Sequence, residues 1–249
     1  MSIFSPLEQF EINSLIPLRL GTIDISFTNS SLFILITCTL ISLLFMSVIF
    51  DARLIPSRWQ SFVEMLYEFI LTLVNENIGP KGQRYFPLLF TLFVFILFAN
   101  LIGMVPYSFT VTSHIIVTFG LALSMFIGIT ILGLLTFKTH FFSLFFPQGA
   151  PLALSPLIVG IEIVSYLSRP VSLSIRLCVN MMAGHALLKI IAGFAWTMLS
   201  LEGLLALSGL IPMIILVALM GLEVGIACLQ AYVFTVLLSI YINEALHLH

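Results

Sequence analysis

The sequence predicts an all-α integral membrane protein with about five membrane-embedded helices and one amphipathic surface helix. Hydrophobic residues make up 60% of the 249 residues, and charged residues only 8%. A soluble domain carries about 25% charged residues, so this chain has too little charge to cover a water-facing surface. A soluble enzyme and a disordered protein are therefore excluded. Because the net charge is −2, the chain also lacks a basic surface for nucleic acid, and the expected surroundings are a lipid bilayer.

The first two elements follow from the position at which the apolar residues begin. Residues 1–28 are mixed and polar, which predicts an N-terminal extramembrane segment. Residues 29–50 form an uncharged apolar run, and about 20 helical residues cross a hydrocarbon core of about 30 Å. This run therefore predicts a membrane-spanning helix.

Residues 57–79 differ from a membrane span. Glu64, Glu68 and Glu76 share one helix face, while the large apolar residues collect elsewhere. A helix of this kind lies on a membrane surface or on a partner. A solvated helix from a small extramembrane domain is the alternative interpretation.

The remaining apolar runs complete a single membrane domain over residues 29–249. Residues 87–105 and 113–137 each predict one membrane-spanning helix. The runs 152–192 and 200–245 would each be about 60 Å long as continuous helices, twice the thickness of a bilayer. Each run is therefore either two segments, broken at Pro170 or Pro212, or one steeply inclined helix, and periodicity does not choose between them.

The basic residues of the short loops predict the orientation in the membrane. With the N-terminus outside, the inner loops contain five basic residues: Arg53, Arg58, Lys81, Arg84 and Lys138. The outer side then contains only Arg19. This distribution favours an outer N-terminus and, if each long run crosses once, an inner C-terminus.

Ionisable residues at membrane depth are costly and are therefore candidates for function. Four of them lie near the ends of the runs or beside Pro170, where anchoring at the interface explains them: Arg169, Lys189, Glu202 and Glu244. Arg176 differs, because it lies far from either end of its run and cannot lose its proton at ordinary pH. A permanent buried cation needs an anionic or strongly polar partner. A static ion pair with Glu162 or Glu223 is the structural alternative.

Helix geometry sorts the polar residues around Arg176 by face. Glu162 lies 14 residues before Arg176 and Asn180 lies four residues after it, so the three share one side of a helix. His185 lies nine residues beyond Arg176 and looks the opposite way. A helix with this pattern carries chemistry on two different faces.

The second face predicts a protonatable pair. If the two long runs pack antiparallel, His185 and Glu223 can meet, and histidine is the side chain whose ordinary pKa lies nearest neutrality. Gln230 lies seven residues after Glu223 and shares its face. The alternative to a protonatable pair is that His185 is a buried histidine with its hydrogen bonds made inside the protein, and that Glu223 lies near a bend. The fixed Arg176 cation, between Glu162 and this pair along the chain, suits two separate proton-access routes.

Neither a cofactor nor a metal site is expected. Cys38, Cys178 and Cys228 lie alone in apolar runs, without metal-ligand or disulfide spacing. No glycine-rich nucleotide-binding motif occurs, and one His with one Glu is too few ligands for a metal. The acidic N-terminus lacks the features of a secretory signal or an arginine-rich transit peptide.

Several segments resemble subunit a of F-type ATP synthases. The most specific is Ser172-Leu-Ser-Ile-Arg176-Leu-Cys-Val-Asn180-Met-Met-Ala-Gly184-His185. The others are Ser5-Pro-Leu-Glu-Gln-Phe-Glu-Ile12, Tyr85-Phe-Pro-Leu88, Ala99-Asn-Leu-Ile-Gly-Met-Val-Pro-Tyr107, and Leu222-Glu223 with Gln230-Ala-Tyr232. The resemblance covers essentially the whole chain. The order of His185 before Glu223 is similar to the mitochondrial form, whereas many bacterial forms place the carboxylate first.

The resemblance implies a role for each of these polar residues. Arg176 corresponds to the essential arginine that faces the carboxylate of the rotating subunit c ring and stops protons from short-circuiting. The half-channel open to the intermembrane space corresponds to His185, Glu223, Asn180, Gln230 and, more weakly, Asn100. Glu162 corresponds to the matrix-side exit, which Glu244 helps to line. The two long runs correspond to long, strongly inclined helices against the rotor, and residues 57–79 to a membrane-surface helix.

The resemblance also implies partners and a location. The expected partners are the subunit c ring, the peripheral stalk, other membrane subunits, lipid and protons. The expected location is the mitochondrial inner membrane, with the N-terminus towards the intermembrane space and the C-terminus towards the matrix. The chain would not be an enzyme on its own, since ATP chemistry occurs on other subunits. The alternatives are a stand-alone secondary transporter or ion channel, and a purely structural subunit with static ion pairs.

Overall fold

The described part of the chain is almost entirely helical. The structure, a computed structural model, describes residues 7–20, 23–24, 26–50, 52–105, 108–138, 141, 155–200 and 208–246. These residues contain six α-helices: α1 Asn29–Phe50, α2 Arg58–Asn77, α3 Phe86–Gly103, α4 Ile115–Phe137, α5 Ser155–Leu199 and α6 Leu210–Leu246. All except α2 are long and apolar enough to cross a membrane. The predicted class, an all-α membrane protein with five membrane-embedded helices, is confirmed.

Two of the shorter helices show how closely the apolar runs determine the ends. α1 has the predicted bounds, because an uncharged run of apolar residues separates the polar segments on either side. α2 begins after Ser57, whose hydroxyl accepts a hydrogen bond from the backbone N–H of Gln60, as an N-cap residue does. α2 buries one apolar face that includes Ile70 and Val74 and is not a candidate span. Its position at the membrane surface stays a prediction.

The two long runs are continuous helices over their described residues. α5 passes through Pro170 without a break, and Pro212 lies in the first turn of α6, where a missing N–H costs nothing. The two-segment alternative is therefore wrong. α5 has 45 residues and α6 has 37, or about 68 and 55 Å. Because a hydrocarbon core is about 30 Å thick, helices of this length fit only with a strong inclination.

The ends of the long helices differ from the predicted ones. α5 continues to Leu199 instead of ending at residue 192, because the intervening residues are apolar and include no proline. α6 begins at Leu210 instead of at residue 200. Residues 201–207 of the predicted range, with Glu202, lie outside the described residues.

The N-terminal segment contains short strands that the sequence did not predict. β1 Ser14–Ile16 pairs antiparallel with β4 Phe27–Thr28, and β2 Arg19–Leu20 pairs antiparallel with β3 Ile23–Asp24. The Asn29 side-chain amide donates a hydrogen bond to the Glu11 carbonyl oxygen at 3.0 Å. This bond joins the segment to the start of α1.

The chain divides into two compact units. The first comprises Met1–Ser47, Val94–His114 and Leu177–Ala231. The second comprises Val48–Phe93, Ile115–Arg176 and Tyr232–His249. Each unit includes one part of α5 and one part of α6. The single membrane domain expected over 29–249 stays a prediction.

Candidate functional site

The first unit contains the predicted histidine–glutamate pair. His185 of α5 and Glu223 of α6 approach to 3.9 Å between Nε2 and Oε1. Glu223 is only 4% exposed, and neither of its carboxylate oxygens has a hydrogen-bond partner among the described residues. The expected approach of the two side chains is confirmed, although their role is a separate question. A buried carboxyl group without a fixed partner can hold or release a proton according to its surroundings.

A glycine makes this approach possible. A Cβ atom at position 184 would lie 2.4 Å from Glu223 Oε1, which is far inside ordinary contact distance. Gly184 therefore lets the Glu223 carboxyl group lie directly against the backbone of α5. Any larger residue would displace that carboxyl group from its position beside His185.

Thr110 is a third member of the site, and it was not predicted from the sequence. Its Oγ1 lies 3.1 Å from His185 Nε2 and 3.3 Å from the Gly103 carbonyl oxygen, to which it donates. Thr110 precedes a 3₁₀ turn, Val111–Ser113, in the connection between α3 and α4. The only sequence signal is that three of the four residues from Thr110 to Ser113 carry hydroxyl groups, which has no specific meaning by itself.

Three amides extend the polar region of the first unit. The Asn180 Nδ2 atom donates to Gln230 Oε1 at 3.0 Å, and the Asn100 Nδ2 atom donates to the Ala227 carbonyl oxygen at 3.2 Å. Asn100 and Gln230 are almost completely buried. Each keeps one polar atom, Asn100 Oδ1 and Gln230 Nε2, without a partner among the described residues. Buried polar atoms of this kind are usually paired with water.

His185 and Glu223 each line an open cavity of the same unit. His185 lines a cavity of about 770 Å³ together with Lys189 of α5 and with Glu8 and Glu11 of the N-terminal segment. Glu223 lines a cavity of about 260 Å³ together with Asn180. The two side chains, 3.9 Å apart, thus belong to the linings of two different cavities.

The second unit contains Arg176 and Glu162. Arg176 lies 21 residues from the start of α5 and 23 from its end, and it is exposed among exposed apolar side chains such as Val171 and Ile175. Glu162 is half-buried. Among the described residues of this unit, neither a hydrogen bond nor an ion pair engages Arg176, so the predicted alternative of a static pair with Glu162 is not what the structure shows.

Glu244 does have a cationic partner. Its Oε2 forms an ion pair with Arg169 Nη1, and the Arg169 guanidinium lies 5.4 and 4.9 Å from the ring centroids of Tyr166 and Tyr241. These side chains enclose a cavity of about 20 Å³. The sequence positions of Arg169 and Glu244 predict two separate anchors at the membrane interface. The ion pair between them is not predicted from the sequence.

One further histidine lies beside the site but outside the spanning helices. His114 stacks on Phe109, with ring centroids 5.0 Å apart and planes tilted by 19°. Burial lowers the pKa of His114 from its ordinary value of 6.5, because an imidazolium ion loses hydration when it is buried.

In the described residues, no group of three or more His, Cys, Asp or Glu side chains could hold a metal ion.

The fold and the buried pair define a class, a polytopic all-α membrane protein with a buried histidine–glutamate pair whose members line two cavities. Known proteins then identify the family. A family model described as ATP synthase A chain matches residues 31–243. The chain belongs to this family.

Individual relatives match over nearly their whole length. The chain is 58% identical to ATP synthase subunit a of Marchantia polymorpha. The alignment is 249 residues long and covers 98% of this chain and 99% of the relative. It is 54% identical to the Chondrus crispus subunit over 247 residues, 99% of this chain and 98% of the relative. The Rhodospirillum rubrum subunit is 48% identical over 245 residues, 98% of this chain and 99% of the relative.

Proposed function

We propose that this chain is the proton-translocating stator subunit of a rotary F-type ATP synthase. It would provide two offset half-channels and one essential arginine, Arg176, that faces the subunit c ring. Through them it would couple the proton-motive force to ring rotation and ATP synthesis. The ATP chemistry itself would occur on other subunits, so the chain is not an enzyme on its own.

The observation that carries this proposal is the exposure of Arg176 halfway along an apolar helix. A guanidinium ion at that position cannot be neutralised by deprotonation, and no carboxylate among the described residues of its unit forms an ion pair with it. Leaving a charge of this kind against lipid is costly. An anionic partner from another subunit removes the cost, and the carboxylate of a subunit c ring is the partner that the family implies.

Proton entry is proposed through the first unit. A proton from the larger cavity would reach His185, pass to Glu223 and continue past Asn180 and Gln230, with Asn100 as a more distant polar contact. Support comes from the 3.9 Å approach of His185 and Glu223 and from the two cavities that these side chains line. The proton would then neutralise a carboxylate of the ring, which can rotate into lipid because a neutral acid costs far less to bury than a carboxylate.

Proton release is proposed in the second unit. When the ring carboxylate reaches Arg176, the cation favours its ionised form, and the released proton leaves towards Glu162. Glu244 is assigned to the lining of this exit. Its ion pair with Arg169 gives it a positional role there.

The location and neighbours follow from the same proposal. The membrane would be the mitochondrial inner membrane, with the N-terminus towards the intermembrane space and the C-terminus towards the matrix. The peripheral stalk and other membrane subunits would hold the chain still against the ring. The order of His185 before Glu223 supports the mitochondrial form.

Purification in mild detergent tests the proposal against its rivals. A stator subunit should purify with a ring of small membrane subunits and an ATPase head. Recovery of the chain alone, with ion transport after reconstitution, would contradict the proposal and support a stand-alone transporter or channel. Co-purification without any loss of proton-driven synthesis in the Glu223→Gln and Arg176→Ala variants would instead support a purely structural subunit.

A further inference from the structure

We propose that Thr110 is a positioning residue that holds His185 with its hydrogen on Nε2. This inference rests on the proposed function, because it assigns a task to Thr110 only if His185 carries protons. Thr110 belongs to the connection between α3 and α4 and touches His185 through one hydrogen bond of 3.1 Å. The other hydrogen bond of Thr110 determines which partner donates in that contact.

Counting donors and acceptors assigns the hydrogen. A threonine hydroxyl has one hydrogen to donate and two lone pairs that accept. The Thr110 hydroxyl donates to the Gly103 carbonyl oxygen, which can only accept. The Thr110 oxygen is then left to accept from His185, so Nε2 carries a hydrogen.

A second neighbour favours the same assignment. The Glu223 Oε1 atom lies 3.9 Å from the same His185 nitrogen, and an ionised carboxylate only accepts hydrogen bonds. Both polar groups near Nε2 therefore favour a hydrogen there. Since neutral imidazole carries one hydrogen, Nδ1 is left as the basic nitrogen.

Packing keeps Thr110 in this position. Thr110 is 4% exposed. Its methyl group occupies space that Gly103 leaves open, because a Cβ atom at position 103 would be only 2.8 Å from Thr110 Cγ2. Gly103 is the last residue of α3, and its carbonyl oxygen is one of those that a helix end leaves unpaired. The Ser108 Oγ atom also lies 3.0 Å from this oxygen. The helix end thus holds the Thr110 hydroxyl by a hydrogen bond and by contact.

The fixed hydrogen gives proton transfer a direction. A proton from water binds to Nδ1 of neutral His185 and forms imidazolium, which then releases the other hydrogen from Nε2 to the Glu223 carboxylate. One proton enters and one leaves, so His185 is neutral again with its hydrogen on Nδ1, and proton exchange with water then restores the hydrogen on Nε2 beside Thr110. If Nδ1 carried the hydrogen instead, the incoming proton would have to bind Nε2, the nitrogen that faces Glu223 and Thr110, and could not enter at Nδ1.

Other charged groups near His185 stay unchanged when only Thr110 is altered. Glu223 faces it from α6. Lys189 of α5 and the carboxylates of Glu8 and Glu11 line the same cavity as His185. A change in pH dependence after substitution of Thr110 would therefore come from the lost hydroxyl.

The experiment compares three variants in the complete, membrane-reconstituted complex. Thr110→Val removes the hydroxyl and keeps the shape, whereas Thr110→Ser keeps the hydroxyl. Thr112→Val is the matched control, because Thr112 is also 4% exposed and its hydroxyl has no partner among the described residues. Thr110→Ala serves as a second hydroxyl-free variant if valine prevents assembly.

The expected result is a selective change in proton uptake. Thr110→Val should lower the rate of proton-driven ATP synthesis about 3- to 10-fold, the equivalent of one lost hydrogen bond. It should also move the rate–pH profile to lower pH, because imidazolium loses an acceptor for its hydrogen. Thr110→Ser and Thr112→Val should keep the profile of the unmodified complex. In a His185→Ala background, Thr110→Val should have no further effect on the profile.

Two outcomes would overturn the inference. One is an unchanged profile in Thr110→Val and Thr110→Ala while His185→Ala alters it, which would leave the proposed function intact. The other is an effect of Thr110→Val that persists at full size in the His185→Ala background, which would indicate a purely structural role. Failure of the proposed function would look different, since His185→Ala itself would then have no effect on an assembled complex.

Discussion

Substitution of Gly184 by alanine should move the Glu223 carboxyl group away from its position beside His185 with little effect on the stability of the fold. The new Cβ would lie 2.4 Å from Glu223 Oε1 and 2.9 Å from Glu223 Cδ. Since unbonded carbon and oxygen atoms keep about 3.4 Å apart, the carboxyl group must move by about 1 Å. The adjoining cavity of about 260 Å³ gives it room to do so.

The expected effect on stability is small, whereas the effect on activity is large. Crowding in a packed site costs about 1–3 kcal/mol, and replacing a helical glycine by alanine gains about 1 kcal/mol. The net cost is then about 0–2 kcal/mol. A misplacement of about 1 Å at a reacting group can lower a rate about 100-fold, so we expect proton-driven synthesis to fall by about 10- to 100-fold.

The assay is ATP synthesis by the reconstituted complex under an imposed proton gradient, with thermal inactivation of the complex measured in parallel. Gly193→Ala is the matched control, because Gly193 lies in the same helix and a Cβ there would meet nothing within 4 Å. The control should synthesise ATP at the unmodified rate. Synthesis at that same rate by an assembled Gly184→Ala complex would refute the proposed position of Glu223 in the proton path.

Two further predictions concern residues around the proposed path. Glu244→Gln should lower the free energy of unfolding of the complex by less than about 1 kcal/mol. The reason is that the Glu244 side chain is 42% exposed and exposed ion pairs contribute little. A larger loss of stability in thermal denaturation would contradict this prediction. Folding lowers the pKa of His114 below its ordinary value of 6.5, so the unfolded state binds the proton more readily. The free energy of unfolding is therefore unaffected by His114 above pH 6.5 and decreases as the pH falls below that value. His114→Phe, which keeps a ring against Phe109, should therefore make the complex less sensitive to acidification from about pH 7.5 to 5.5, and an unchanged slope of stability against pH would argue against this contribution.

The sequence predicted the elements that depend on local composition. The bounds of α1 follow from an uncharged apolar run between two polar segments, and the amphipathic character of α2 follows from the spacing of its glutamates. His185 and Glu223 could be paired from sequence because few ionisable residues lie at depth, and such residues must find each other.

Features that depend on tertiary structure were not predictable in the same way. The sequence does not decide whether α5 continues through Pro170, because a proline removes one backbone hydrogen bond but its neighbours in a membrane can satisfy the freed carbonyl group. The Arg169–Glu244 ion pair joins residues 75 apart in sequence and depends on how α5 and α6 align. Thr110 was missed because a hydroxyl residue in a connection has no distinguishing pattern until the fold brings it to His185.

The central claim is that Arg176 works against a carboxylate outside this chain. The most direct test is proton-driven ATP synthesis by an assembled, reconstituted complex with Arg176→Ala, with Arg176→Lys alongside it. We expect that neither variant synthesises ATP, because alanine removes the cation and a buried ammonium ion can lose its proton where a guanidinium cannot. Coupled synthesis at the unmodified rate by the assembled Arg176→Ala complex would contradict the claim.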